Sequence, residues 1–286
     1  MPIIETKNLT YTYGKDTPFE KDAIRDVTLS IEEGEFLGII GHTGSGKSTL
    51  VQHLNGLLRP TSGTVLFQGE DIWKEPKEIR KIRFQIGMVF QYPEHQLFEE
   101  TVFKDISFGP KNMGLPEEEI KERVHSAARF AGLREELLEK SPFDLSGGEK
   151  RRAAIAGVIA MDPKVLIFDE PTAGLDPMGR DMLLEQIRQY HSQRKNTILL
   201  VSHNMEDIAR ISDRVLVMND SRLAMLDKTQ NIFARGRELT RMGLQVPQVT
   251  RVFMRLKDMG IDADTGIYTL GRAKEEALRL LRESKA

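Results

Sequence analysis

The spacing of apolar residues changes along the chain, and each change marks an element. Near the N-terminus Ile3 and Ile4, then Leu9, Tyr11 and Tyr13, alternate with polar residues at the period of a half-buried strand. A turn-rich stretch, Gly14-Lys15-Asp16-Thr17-Pro18, precedes a second alternation through Val27, Leu29 and Ile31. After the turn at Glu32–Glu35, Phe36–Ile40 is an apolar run suited to a strand covered on both faces. A helix is predicted from Lys47 to Asn55, and strands over 64–90, ending in Ile86-Gly87-Met88-Val89-Phe90. From 92 to 145 helical spacing dominates, at Glu117–Phe130 and Glu135–Lys140, broken by Gly109-Pro110 and Gly114-Leu115-Pro116.

A predicted helix near Gly148–Met161 then opens an alternation of strands (Val165–Phe168, Thr197–Val201) and helices (Met178–Tyr190, Met205–Ile211). Strands near Arg214–Met218 and Arg222–Met225 close it. Such alternation predicts an α/β fold with a mostly parallel sheet. Beyond about residue 230 the chain is charged and helical. Val249, Val252, Phe253, Leu256 and Met259 form an amphipathic stripe, Gly260–Gly271 reads as loop or short strand, and Ala273–Arg282 offers another helix.

Composition narrows the function classes. Apolar residues at 40% provide a core, and 41 basic against 43 acidic residues leave a net charge of −2, which argues against a nucleic-acid partner held by bulk charge. The absence of cysteine removes disulfides, thiolate metal sites and a thiol nucleophile. The N-terminus lacks the regions of a signal peptide. The apolar runs are far shorter than the ~20 residues that span a bilayer, so the chain is not expected to cross a membrane by itself.

Two motifs carry phosphate chemistry. Gly41-His42-Thr43-Gly44-Ser45-Gly46-Lys47-Ser48-Thr49 matches the phosphate-loop pattern between a predicted strand and a predicted helix. Its glycines let backbone N–H groups turn inward, Lys47 reaches the β- and γ-phosphates, and Ser48 offers a hydroxyl to Mg²⁺. Val165-Leu166-Ile167-Phe168-Asp169-Glu170 delivers two acids to the carboxyl end of a strand, where α/β sheets bind ligands. Asp169 suits a water-mediated Mg²⁺ contact, and Glu170 suits a general base acting on water. The β- and γ-phosphates of a nucleotide and Mg²⁺ are the implied ligands.

Leu145-Ser146-Gly147-Gly148-Glu149 is both a capping box and a second anion site, with a serine hydroxyl, two glycines and a helix start. A pair of chains brings such a site to a partner's nucleotide. With the phosphate loop and the acidic strand end, this stretch resembles the signature of ATP-binding cassette (ABC) proteins, which most often ends in Gln where this chain has Glu149. The resemblance covers about residues 3–230. It implies a P-loop NTPase of ABC type with an N-terminal antiparallel β subdomain and an inserted helical subdomain at about 92–160. A small C-terminal helical dimerisation domain at 231–286 follows the ATPase domain of 1–230.

The family's other motifs fall in order. Tyr13, with Tyr11 as competitor, resembles the aromatic that stacks on adenine, together with Gly41, Gly44, Ser45, Gly46, Lys47, Ser48 and Thr49 of the nucleotide site. Gln91 resembles the glutamine that meets Mg²⁺ and the attacking water. Asp176 in Ala173-Gly174-Leu175-Asp176 resembles the D-loop aspartate, and His203 the histidine on the γ-phosphate. The implied catalytic set is Glu170, His203 and Gln91. Ser48, Gln91 and, through water, Asp169 serve the metal, while Ser146, Gly147, Gly148 and Glu149 act on the partner's ATP.

The interval between Lys47 and Ser146 is too short for a long coiled coil, and the chain has one cassette with no fused membrane part. Tyr92-Pro93-Glu94-His95-Gln96-Leu97-Phe98 and the later Phe103 and Phe108 resemble the energy-coupling factor (ECF) transporter ATPases and the related cobalt/nickel importers, more of the A′ type than the A type. That resemblance implies an ATPase driving uptake of vitamins or related micronutrients. Its partners would be an A-type ATPase in a heterodimer, a T-type transmembrane subunit received by a groove at Phe98, Phe103 and Phe108, and exchangeable S subunits. Its place would be the cytoplasmic side of a prokaryotic cell membrane, as a peripheral protein. The alternatives are a homodimeric cobalt/nickel importer ATPase and a soluble ABC regulator.

Overall fold

In the computed structural model, which describes residues 1–283, two sheets share one face of core. The first is antiparallel, in the order β2-β1-β4-β5, from β1 (Pro2–Tyr13), β2 (Lys21–Glu32), β4 (Ser62–Phe67) and β5 (Glu70–Asp71). The second has six strands in the order β10-β9-β3-β8-β7-β6. They are β3 (Phe36–Gly41), β6 (Ile86–Val89), β7 (Val165–Asp169), β8 (Thr197–Val201), β9 (Arg214–Asn219) and β10 (Arg222–Lys228). All neighbours are parallel except β9 and β10.

The central strands are buried along their length, and their side chains sort by the two-residue period. Leu37, Ile39, Val165, Ile167, Leu199 and Val201 face the antiparallel sheet and α1 (Lys47–Leu54). Phe36, Ile40, Leu166, Phe168, Ile198 and Leu200 face a helical layer. That layer contains α3 (Val102–Asn112), α4 (Glu117–Phe130), α5 (Gly147–Ile159), α6 (Pro177–Arg194) and α7 (Met205–Ile211). The stacking leaves the carboxyl ends of β3, β6, β7 and β8 aligned, and the candidate site is built there.

Three expectations are corrected. Residues 64–90 are not all strand, since α2 (Ile79–Gln85) lies between β5 and β6, with Ile79 and Ile82 packed on the core at a helical spacing. Gly109-Pro110 does not break α3, because Pro110 sits in its last turn, where the missing N–H removes one helical bond, and Gly114 at φ 77 follows the helix end. Glu135–Lys140 forms only a 3₁₀ turn, Glu135–Leu137, anchored by buried Leu137 and Leu138.

The C-terminal part holds α8 (Thr229–Ala234), α9 (Gly236–Arg241), α10 (Gln248–Asp258) and α11 (Leu270–Glu283). Ile232, Phe233, Leu239, Leu244 and Val246 pack into the main core. Phe253, Ala263 and Ile267 form a separate small core with Leu256, Ala273 and Leu280. Residues 284–286 of the expected 231–286 appendage lie outside the described residues.

Candidate nucleotide site

The loop from β3 to α1 has the backbone that an anion requires. Gly46 sits at φ 98, and a Cβ there would lie 2.3 Å from the Ala23 carbonyl oxygen, so glycine alone fits. Gly44, at φ 80, faces open space. No side chain caps the start of α1, which leaves its first N–H groups to an anion. Ser45 Oγ is buried and has no hydrogen-bond partner among the described residues. Lys47 is buried, and its Nζ donates to the carbonyls of Gly41 (2.8 Å) and His42 (3.1 Å). Burial pulls this ammonium below its ordinary pKa, against the opposing pull of Glu170 and Asp169.

The end of β7 supplies the acids. Asp169 is buried and pushed above the usual carboxylate range, mainly by desolvation and in part by Glu170, while the Ser48 hydroxyl, Lys47 and His203 pull the other way. Its Oδ1 has no hydrogen-bond partner among the described residues. Glu170 takes φ 51, a left-handed conformation that costs a non-glycine residue about 1–2 kcal/mol and here turns the chain out of the sheet. Its Oε2 accepts from Gln91 Nε2 at 3.0 Å, and its Oε1 lies 2.6 Å from His203 Nε2. Of the three residues expected to serve catalysis, from the ends of β6, β7 and β8, Glu170 thus contacts the other two.

The donors fit a nucleoside triphosphate with a divalent cation. Uncapped amides and an ammonium suit the phosphates. A serine hydroxyl, a glutamine amide oxygen and a carboxylate with an orphaned oxygen suit a hard cation. Tyr13 is 43% exposed, with its hydroxyl 3.4 Å from Thr49 Oγ1. Tyr11 is partly buried against His53, with ring centroids 4.6 Å apart, so Tyr13 is the one with an exposed ring.

The signature stretch lies elsewhere. α5 packs on α3, α4 and β6, whereas α1 packs on β2, β3 and β7. Ser146 caps α5 in a capping box, and its N–H and hydroxyl donate to Glu149 Oε2 at 3.0 and 2.7 Å. Those bonds, with help from Arg134, hold the Glu149 carboxyl at about 2. Gly147 meets no atom within 4 Å of a hypothetical Cβ, and Gly148 only an arginine tip at 3.7 Å, so this helix start is open. Asp176 caps α6, accepting from Gly179 N–H at 2.7 Å.

The three phenylalanines do not form one surface. Phe98 (59% exposed) and Phe108 (46% exposed) meet edge to face at 5.1 Å. Phe103 instead packs inward on the main core and beside His125. Five residues apart on α3, Phe103 and Phe108 point about 140° apart, so one of them must turn inward. Sequence reasoning missed two residues that connect these regions, Glu94 and Arg151, which pair from 57 positions apart. It also missed Asp105, whose buried carboxylate accepts from the N–H groups of Phe98 and Glu99.

Known proteins resemble the whole chain. The ABC transporter family pattern matches residues 24–173. An energy-coupling factor transporter ATP-binding protein EcfA2 from Caldanaerobacter subterraneus is 51% identical over 285 residues, covering 100% of this chain and 99% of the relative. The protein of the same description from Clostridium acetobutylicum is 52% identical over the full length of both. Among solved structures, cbiO1 from Clostridium perfringens, part of the ABC transporter complex cbiONQ, superposes with a TM-score of 0.75 at 39% identity, covering 91% of this chain and 97% of that one. The dimeric cassette MJ0796, in a post-hydrolysis state bound to ADP and Pi, gives 0.72 at 28% identity over 79% of this chain and 98% of its own.

Proposed function

The chain belongs to the ABC transporter family, as the ATP-hydrolysing subunit of an energy-coupling factor transporter, and from that premise we propose how its residues divide the work. The observation that carries the proposal is Glu170, held between Gln91 and His203 beside the phosphate loop.

Two cassettes close on two molecules of MgATP. The loop amides of Gly44, Ser45, Gly46 and Lys47 cradle the phosphates, with Gly41 and Thr49 framing the loop, and Tyr13 stacks on the base. Lys47 exchanges its present carbonyl partners for phosphate oxygens. Mg²⁺, when bound, would neutralise phosphate charge; Ser48 and Gln91 would hold it, with Asp169 serving through water. Glu170 accepts the proton of a water in line with the γ-phosphorus. His203, released from Glu170, donates to the γ-phosphate, and the partner's signature serine and glycines complete the charge stabilisation. Ser146, Gly147, Gly148 and Glu149 perform the same service for the partner's nucleotide, and Asp176 lies at the shared boundary.

The partner cassette is a second, A-type ATPase. The exposed apolar residues Val252, Met259, Leu270 and Leu278 of the C-terminal part support a contact there, made by residues 231–286 beyond the ATPase domain of 1–230. The pair Phe98–Phe108, rather than all three phenylalanines, receives a helix of a T-type membrane subunit that carries S subunits for vitamins or related micronutrients. No helix among the described residues is long and apolar enough to cross a membrane. These contacts therefore hold the chain at the cytoplasmic face of a prokaryotic membrane.

Co-expression with a non-identical cassette protein and a T-type subunit tests the assignment. A stoichiometric complex that hydrolyses ATP is expected. A stable homodimer that assembles with the membrane subunit and excludes the second cassette contradicts the heterodimer and favours the cobalt/nickel importer arrangement.

A further inference from the structure

We propose that Arg151 is a positioning residue through which the membrane-subunit surface and the nucleotide site move as one body, an inference that rests on the reading of the Phe98–Phe108 surface given above. Arg151 lies in the second turn of α5 and is 5% exposed. Its guanidinium donates four hydrogen bonds to two other segments, and with its own helix α5 it joins three. Nε donates to Glu94 Oε2 at 3.0 Å and Nη2 to Glu94 Oε1 at 2.8 Å, a bidentate pair. Nη1 donates to the carbonyls of Pro171 (3.1 Å) and Ala173 (2.9 Å).

Each segment leads to a different functional group. Glu94 sits in the 3₁₀ turn Pro93–Gln96, between Gln91, which contacts Glu170, and Phe98, which is exposed at the docking surface. Pro171 and Ala173 form the turn from Glu170 to Asp176, closed by the bond from Ala173 N–H to the Glu170 carbonyl at 3.1 Å. Arg151 itself follows Ser146 and Glu149 on the signature helix. A planar fork with four fixed acceptors permits no independent sliding of these parts, since displacing Glu94 tilts the plane that also holds the two carbonyls. Burial works against the Glu94 charge, yet the hydrogen bonds from Arg151 keep its carboxyl below the usual range, so the pair is ionised and directional. Arg151, Glu94, Pro171 and Ala173 are not among the residues assigned above to the nucleotide, the metal or the attacking water, which separates the joint from the catalytic groups.

The test uses the assembled complex of this chain, its partner cassette and the membrane subunit, with MgATP. Arg151→Lys keeps the charge but loses the fork, and Glu94→Gln keeps the shape but loses the charge. Arg214→Lys, at the Glu35 ion pair away from these segments, controls for generic loss of a partly buried bridge. Both test variants are expected to leave KM for ATP within twofold and to lower kcat at least fivefold, with the double variant no worse than the poorer single variant by more than twofold. Should Arg151→Lys fail to assemble, Glu94→Gln decides alone. A kcat within twofold of wild type with only a lower melting temperature, as expected for Arg214→Lys, or additive losses in the double variant, overturns the inference. A wild-type complex without ATPase activity overturns the functional reading itself, and this inference with it.

Discussion

Replacing Glu170 by glutamine removes one negative charge and the capacity to take a proton, while keeping the shape of the side chain. The structural cost is bounded by the present contacts, 2.6 Å to His203 Nε2 and 3.0 Å to Gln91 Nε2. The carboxamide oxygen accepts from one neighbour, and the amide group faces the other, which for His203 a change of tautomer can satisfy. At most one charge-assisted hydrogen bond is lost, and because both groups are partly open to solvent the cost is about 1 kcal/mol, or roughly 2–4 °C in melting temperature. The left-handed backbone at position 170 strains both residues alike. The chemical cost is larger: losing a general base removes at least ~10²-fold in rate, about 2.7 kcal/mol of transition-state stabilisation. Phosphate release by the assembled complex gives kcat, and titration with a fluorescent ATP analogue gives binding. The expected result is a hundredfold drop in kcat with analogue affinity within threefold. A kcat within threefold of wild type, or a matching loss of affinity, would refute the role given to Glu170.

Gly46→Ala forces a Cβ to 2.3 Å from the Ala23 carbonyl at φ 98, so the loop must shift; melting should fall by at least ~2 °C and binding of the ATP analogue should be lost. Phe98→Ala should abolish co-purification with the membrane subunit at unchanged melting temperature, whereas Phe103→Ala, set against the core, should cost about 2 kcal/mol in denaturant unfolding. The reverse pattern would place the docking surface on the wrong face of α3. Glu149 should titrate near pH 2 in carboxyl-resolved NMR and return toward 4.5 in Ser146→Ala. Because the folded pKa is depressed, the small stabilisation from this exposed group is present above about 4.5 and is lost as pH falls toward 2.

The parallel sheet was legible because β3, β7 and β8 are short apolar runs whose alternate residues serve two cores, and no helix period competes with them. The site was legible for a related reason: its groups follow directly after those runs, so finding the strand ends finds Lys47, Asp169, Glu170 and His203. α2 was not, since a seven-residue helix with only Ile79 and Ile82 turned inward shows less than two periods. Pro110 misled because proline is costly in a helix interior but cheap near its end, and the end is set by Gly114. Phe103 carries the same residue type as Phe108, and only the angle around α3 separates core from surface. The Arg151–Glu94 joint joins segments distant in sequence, and no local pattern marks which arginine of the signature helix turns inward.

ATP turnover by this chain is expected to drive transport through other subunits. The direct measurement is uptake of a radiolabelled vitamin into lipid vesicles containing the chain, the second cassette, the T-type subunit and an S subunit that binds that vitamin. Uptake should require MgATP on the cassette side and should fall to background with Glu170→Gln, while the complex stays intact. Uptake that proceeds at the wild-type rate with Glu170→Gln, or without ATP, would show that this chain's ATP turnover does not drive transport.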